Sequence, residues 1–207
     1  MTGPLGRPLI SAFPMLPPLS KAEQVRLYLL YHLNPVEPKA PAPPKGPPLR
    51  VVIIRHGEKP IDGDNLSHMG LARAMALPEV LNQLMPVPPD FTYVPCIGTD
   101  KDETTRVRMM QTILPYAVQH NLTINSNFAP DEIKGLVKQL RRRRGTVLLV
   151  WEHHNIVNIA AGLGIKEPQQ WPDDDYDSIW TITFGRANLK GKAKDPVLTK
   201  GKEHINP

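Results

Sequence analysis

The stretch Leu49-Arg50-Val51-Val52-Ile53-Ile54-Arg55-His56-Gly57-Glu58 (LRVVIIRHGE) decides the fold. Its β-branched aliphatic run is apolar on both faces and too short for an ordinary helix, which is the pattern of a parallel strand covered on both sides. A second run of this kind, 146–151 (TVLLVW), ends in Glu152-His153-His154-Asn155. Helical patterns lie at 66–84, opened by Ser67, at 104–120, at 130–144 with proline at its first turn, and at 155–163, stopped by Gly164. Shorter strands are expected at 92–98 and 122–124, and the alternating 177–184 (DSIWTITF) reads as a strand nearer the sheet edge. Strands alternating with helices predict an α/β three-layer sandwich with a mostly parallel central sheet.

In such sheets ligands sit beyond the carboxyl ends of the strands. The first strand ends in Arg55-His56-Gly57-Glu58 and the later one in Glu152-His153-His154, so two histidine-bearing loops are expected on one edge.

Upstream of residue 49 the chain changes character. Twelve of its 24 prolines fall in residues 1–48, which read as a proline-rich arm holding one amphipathic helix at 20–34. Ser20 and Glu23 have capping-box spacing, and Val25, Leu27, Leu29, Leu30 and Leu33 make the apolar face, which is a possible route to an oligomer. The catalytic-size domain is expected over 49–185 and a basic tail over 186–207. The net charge of +5 comes from these ends, since residues 50–185 carry 14 bases and 16 acids. That distribution argues against a dedicated nucleic-acid surface. One cysteine, Cys96, excludes an internal disulfide and a thiolate metal cage. No apolar run reaches the roughly 20 residues of a membrane span, so no membrane partner is expected and the cytoplasm is the expected address. Organelle targeting stays open, because no acidic residue precedes Glu23.

Four segments, in order, resemble the histidine phosphatase superfamily, also called phosphoglycerate-mutase-like. They are RHGE at 55–58, LSHMGLARA at 66–74, Arg108-x-x-Gln111-Thr112, and VLLVWEHHNI at 147–156. The resemblance implies the phosphoglycerate-mutase-like fold and phosphomonoester hydrolysis without metal or cofactor, acting on a small phosphorylated substrate or a phosphoprotein. It places the nucleophile at His56, a second catalytic histidine at His153, and phosphate-binding groups at Arg55, Arg108 and His153. Glu132 is carried over as the general acid, with Asp131 beside it. Arg106 competes with Arg108 for its role, and His154 stands where the family usually has a small residue.

The chemistry of these residue types is coherent without the family. A neutral imidazole is nucleophilic near neutral pH, and arginines meet the charge spread over a phosphoryl group in flight. Three other readings remain open: a catalytically silent phosphate-binding module, a phosphomutase, and a zinc hydrolase built on His56, His153 and His154. The stretch Trp171–Asp177 (WPDDDYD) reads either as part of the site's rim or as a surface turn.

Overall fold

The computed structural model describes residues 20–23, 47–101, 103–185 and 195–206. The chain divides into two compact units, 1–42 and 43–207. In the first, Lys21–Glu23 is helical, with Ser20 N donating to Glu23 Oε2 at 2.9 Å and Glu23 N to Ser20 Oγ at 3.3 Å, the expected capping box. The remainder of the 20–34 helix and the arm around it lie outside the described residues.

The second unit is built on a six-stranded sheet. Its strands are β1 (Arg50–Arg55), β2 (Phe91–Pro95), β5 (Ile124–Phe128), β6 (Thr146–Trp151), β7 (Ser178–Thr183) and β8 (Val197–Lys202), in the order β5-β2-β6-β1-β7-β8. The pairs β1–β6, β2–β6 and β2–β5 are parallel, whereas β7 runs antiparallel to β1 and β8 to β7. A separate hairpin, β3 (Gly98–Asp100) with β4 (Glu103–Thr105), lies outside the sheet. The helices are α1 (His68–Leu84), α2 (Arg108–Gln119), α3 (Ile133–Leu140) and α4 (His153–Leu163).

Strand alternation sorts the core into two layers. Val51, Ile53, Val147, Leu149 and Trp151 pack with Leu136, Leu140, Ile156 and Ala160 of α3 and α4. Val52, Ile54, Leu148 and Val150 pack with Leu77, Leu81, Met109 and Ile113 of α1 and α2 on the other face. Both central runs are apolar throughout because each face is covered by helices. The α/β three-layer sandwich expected from the sequence is therefore what forms.

Several boundaries differ from the sequence reading. The strand expected at 92–98 runs over Phe91–Pro95, and Gly98 belongs to β3. The helix expected from 104 starts at Arg108, because Thr104 and Thr105 extend into β4 and Arg106 turns the chain with φ of 60°. The helix expected at 130–144 is confined to Ile133–Leu140, and the strand expected at 122–124 runs instead over Ile124–Phe128. The helix expected from 155 already includes His153 and His154 in its first turn. Residues 197–202, placed in the basic tail, form β8 on the sheet edge. That strand is polar, contains Gly201 and is mostly exposed, so it carries no apolar run or alternation to betray it. β8 also moves β7 one place in from the edge.

Among the described residues no helix is long and apolar enough to cross a membrane.

Candidate active site

The β1–β6 register places Arg55 opposite Trp151 and ends both strands at one level. His56 N donates to Trp151 O at 3.2 Å, which continues the ladder by one step. His56 and His153 therefore leave the sheet side by side, as the carboxyl-edge rule requires.

His56 is 5% exposed. Its Nδ1–H donates to Gly57 O at 2.7 Å, which fixes the tautomer and leaves Nε2 with a free lone pair. Burial pushes its pKa down to about 4 against the weaker opposing pull of the Gly57 carbonyl, and the positive charges of Arg55 and Arg108, joined by that of His153 whenever it is protonated, push it down further. The imidazole is neutral at physiological pH.

The loop that carries His56 is held from three sides. Thr112 Oγ1 accepts from Gly57 N at 2.9 Å and donates to Arg108 O at 2.8 Å. Gln111 Oε1 accepts from Leu66 N at 3.0 Å, and its amide donates to Asn65 Oδ1 at 2.6 Å. The Arg108-x-x-Gln111-Thr112 spacing thus puts a cation and two loop-holding groups on one end of α2. A Cβ on Gly57 would lie 2.8 Å from Gly70 O, and one on Gly70 would run into the backbone of Glu58, which explains the glycine of RHGE and that of the 66–74 segment together.

Arg108 Nη1 donates to Gly63 O at 2.9 Å and its Nη2 lies 3.8 Å from Asp64. Arg106, its competitor in sequence, instead lays its guanidinium against Gly98 of β3. Arg55 is 2% exposed, and its Nη1 is committed to the carbonyls of Pro172, Asp173 and Asp175, at 3.3, 2.7 and 3.2 Å. Its guanidinium stacks on Tyr176, 3.9 Å from the ring centroid, while its Nε is buried without a partner. The 171–177 stretch is thereby part of the site, since it wraps Arg55.

His153 donates from Nε2 to Asp173 Oδ1 at 2.9 Å, and its buried Nδ1 has no partner. Burial first, then Arg55 and His154, lower its pKa against the pull of Asp173. The exposed His154 stacks on it with ring centroids 3.8 Å apart. Two unpartnered polar atoms, Arg55 Nε and His153 Nδ1, thus belong to groups that act electrostatically on His56.

Glu132 caps α3, is exposed, and turns its carboxylate back over Gly135. No hydrogen bond joins it to the His56 cluster among the described residues. Asp131 is likewise exposed at that end of α3.

Asp173 and Tyr176, which touch His153 and Arg55, lie in the stretch that the sequence left open between rim and surface turn without singling either out, and the support beneath Glu58 was missed altogether. Arg73 grips Glu58 with Nε and Nη2, at 3.0 and 2.8 Å, and donates from Nη1 to Glu203 at 2.8 Å. Arg73 is visible in the 66–74 segment, but nothing in sequence spacing links it to Glu203, 130 residues away.

No family model matches the chain, and no curated protein sequence matches it. Solved structures do. The protein histidine phosphatase SixA, complexed with tungstate, superposes with a TM-score of 0.50 at 16% identity, over 74% of this chain and 97% of that one. A mycobacterial glucosyl-3-phosphoglycerate phosphatase bound to inorganic phosphate gives 0.47 at 14%, over 72% and 95%. A phosphoserine phosphatase mutant from Entamoeba histolytica with phosphoserine gives 0.46 at 14%, over 75% and 97%. The fold is phosphoglycerate-mutase-like, as in SixA.

Proposed function

We propose that this chain is a metal-independent phosphatase that transfers phosphate from a monoester to His56 Nε2 and then to water. The observation that carries this reading is the His56 imidazole itself. It is buried, neutral, held by Nδ1 so that Nε2 is bare, and ringed by Arg55, Arg108 and His153.

Nε2 attacks phosphorus in line with the leaving oxygen, so the N–P bond forms as the P–O bond breaks. The equatorial oxygens meet Arg108 and the unpartnered Nε of Arg55, always-charged donors that need no proton chemistry. His153, neutral in the free site, takes a proton on Nδ1 when the phosphate dianion enters and releases it with product. Asp173 holds its Nε2–H and so fixes the ring through that cycle. Glu132 is the proposed proton donor to the leaving oxygen, a role its position at the start of α3 allows only if its carboxylate turns off Gly135.

The test is to trap the intermediate. Rapid quenching with a labelled aryl phosphate should give an acid-labile, base-stable label on the RHGE peptide, absent in His56→Ala. Turnover should survive chelation and be inhibited by vanadate. Turnover without label overturns the phosphohistidine route, and phosphate binding without turnover identifies a silent binding module. Glu132→Gln should slow an alkyl phosphate far more than an aryl phosphate, whose leaving group needs no proton. Equal slowing removes Glu132 from the mechanism.

A further inference from the structure

His154 is the residue that the proposed reaction leaves without work. It stands beside a histidine whose Nε2 already faces a carboxylate, and both histidines ride on the first turn of α4. The ligand atoms of His153, His154 and Asp173 all lie within 4.8 Å of one another.

We propose that His153, His154 and Asp173 form a binding site for a divalent transition metal of the zinc class, and that its occupation slows turnover at the neighbouring phosphate site. The turnover half of this rests on the phosphatase reading above; the binding half does not.

Two imidazoles and a carboxylate are a donor set that Zn²⁺ and Co²⁺ accept, with a water as fourth ligand, at about 2.0–2.2 Å per bond. Tetrahedral ligands at such bond lengths sit roughly 3.4 Å apart. The His153 Nε2 to Asp173 Oδ1 separation of 2.9 Å is already near this value, so the metal takes the place of the proton shared between them. The remaining adjustment falls on His154 and Asp173, both exposed and free to turn, and not on buried His153. The charge around the site does not forbid a cation. Arg55 places one positive charge nearby, but Asp173, Asp174 and Asp175 act on that guanidinium with negative ones, of which only Asp175 is shared with a second cation, Lys202.

Occupation should oppose catalysis, because the added double charge beside the phosphate site holds the phosphate product, and product release then limits the rate. His154 thereby acquires a use that requires no part in the reaction itself.

The experiment uses the full-length chain. Co²⁺ titration followed by visible absorption should show the intense bands of a low-symmetry, nitrogen- and oxygen-ligated ion at one equivalent, and Zn²⁺ should displace it. Calorimetry with Zn²⁺ should give one site, weakened about tenfold or more in His154→Ala and in Asp173→Asn. In the activity arm, Zn²⁺ should inhibit aryl phosphate hydrolysis, while His154→Ala keeps its metal-free rate and loses the inhibition. Absence of stoichiometric binding, or binding that His154→Ala leaves unchanged, overturns the site. Binding without inhibition overturns the coupling to turnover. A protein that binds Co²⁺ as described yet hydrolyses nothing keeps the metal site and removes the phosphatase reading.

Discussion

At the scale of the residue, the pH dependence of the proposed reaction follows from His56. Its folded pKa is depressed to about 4 by burial first and by the arginines beside it, so the imidazole is deprotonated above that value and protonates only below it. Because kcat/KM reports the free enzyme, its acid limb, corrected for the substrate's own ionisation, should fall near pH 4 and not at the 6.5 of an unperturbed imidazole. A limb at 6.5 or above would show that another group governs attack. Arg108→Ala keeps the nucleophile but removes a donor to the transition state, and should cost roughly 10² to 10³ in kcat. Thr112→Val is subtler: it unties Gly57 N and should loosen the aim of His56 without touching phosphate. These residues were legible because chemistry demands particular side chains at particular spacings. His56, Arg55 and Arg108 belong to short local patterns, whereas Asp173 and Tyr176 reach the site through a fold that brings residues about 120 apart into contact.

At the scale of the element, β8 and the segment after it brace the loop that carries His56. Glu203 N donates to Asp177 O at 2.7 Å, and the Glu203 carboxylate meets the arginine that grips Glu58. Burial is the largest influence on Glu203; with the charges of Asp177 and Glu58 it outweighs Arg73 and pushes the carboxyl up to about 7. A carboxyl whose folded pKa is raised favours the folded state while protonated in it, so this contribution is fully present below about pH 4.5 and is lost as pH rises through 7. Glu203→Gln mimics the protonated form and has no such loss. Its stability relative to the natural chain should therefore increase from pH 5 to pH 8, by about 3 kcal/mol at the upper end, as read from denaturant melts at each pH. A difference that stays flat with pH would place the Glu203 pKa within the ordinary carboxylate range. Arg73→Met should be worse still at pH 8, because it leaves the buried Glu203 and the half-buried Glu58 without their cation.

At the scale of the whole molecule, the fold was legible wherever burial imposes a pattern and illegible where it does not. The runs 49–54 and 146–151 announce central strands because both faces of each are covered, and the helices between them follow from periodicity and caps. β8 and the β3–β4 hairpin bury little, so no hydrophobic pattern was required of them. The same logic fixes where the folded unit starts. Both core clusters draw on residues from Leu49 onward, and the first backbone tie is earlier still, since Gly145 N donates to Pro47 O at 3.2 Å. A fragment of residues 43–207 keeps Pro47 and Leu49, and should unfold in one cooperative transition. A fragment of residues 50–207 loses Leu49, which is only 3% exposed, together with two backbone hydrogen bonds, Gly145 N to Pro47 O and Phe184 N to Leu49 O. Burying a leucine is worth about 1.5–3 kcal/mol and a backbone hydrogen bond about 1, so the shorter fragment should be less stable by roughly 3–5 kcal/mol in denaturant melts with an unchanged slope. Equal midpoints for the two fragments would mean that the chain before Arg50 adds nothing to the sheet, and a 43–207 fragment that melts without cooperativity would mean that the unit does not fold alone.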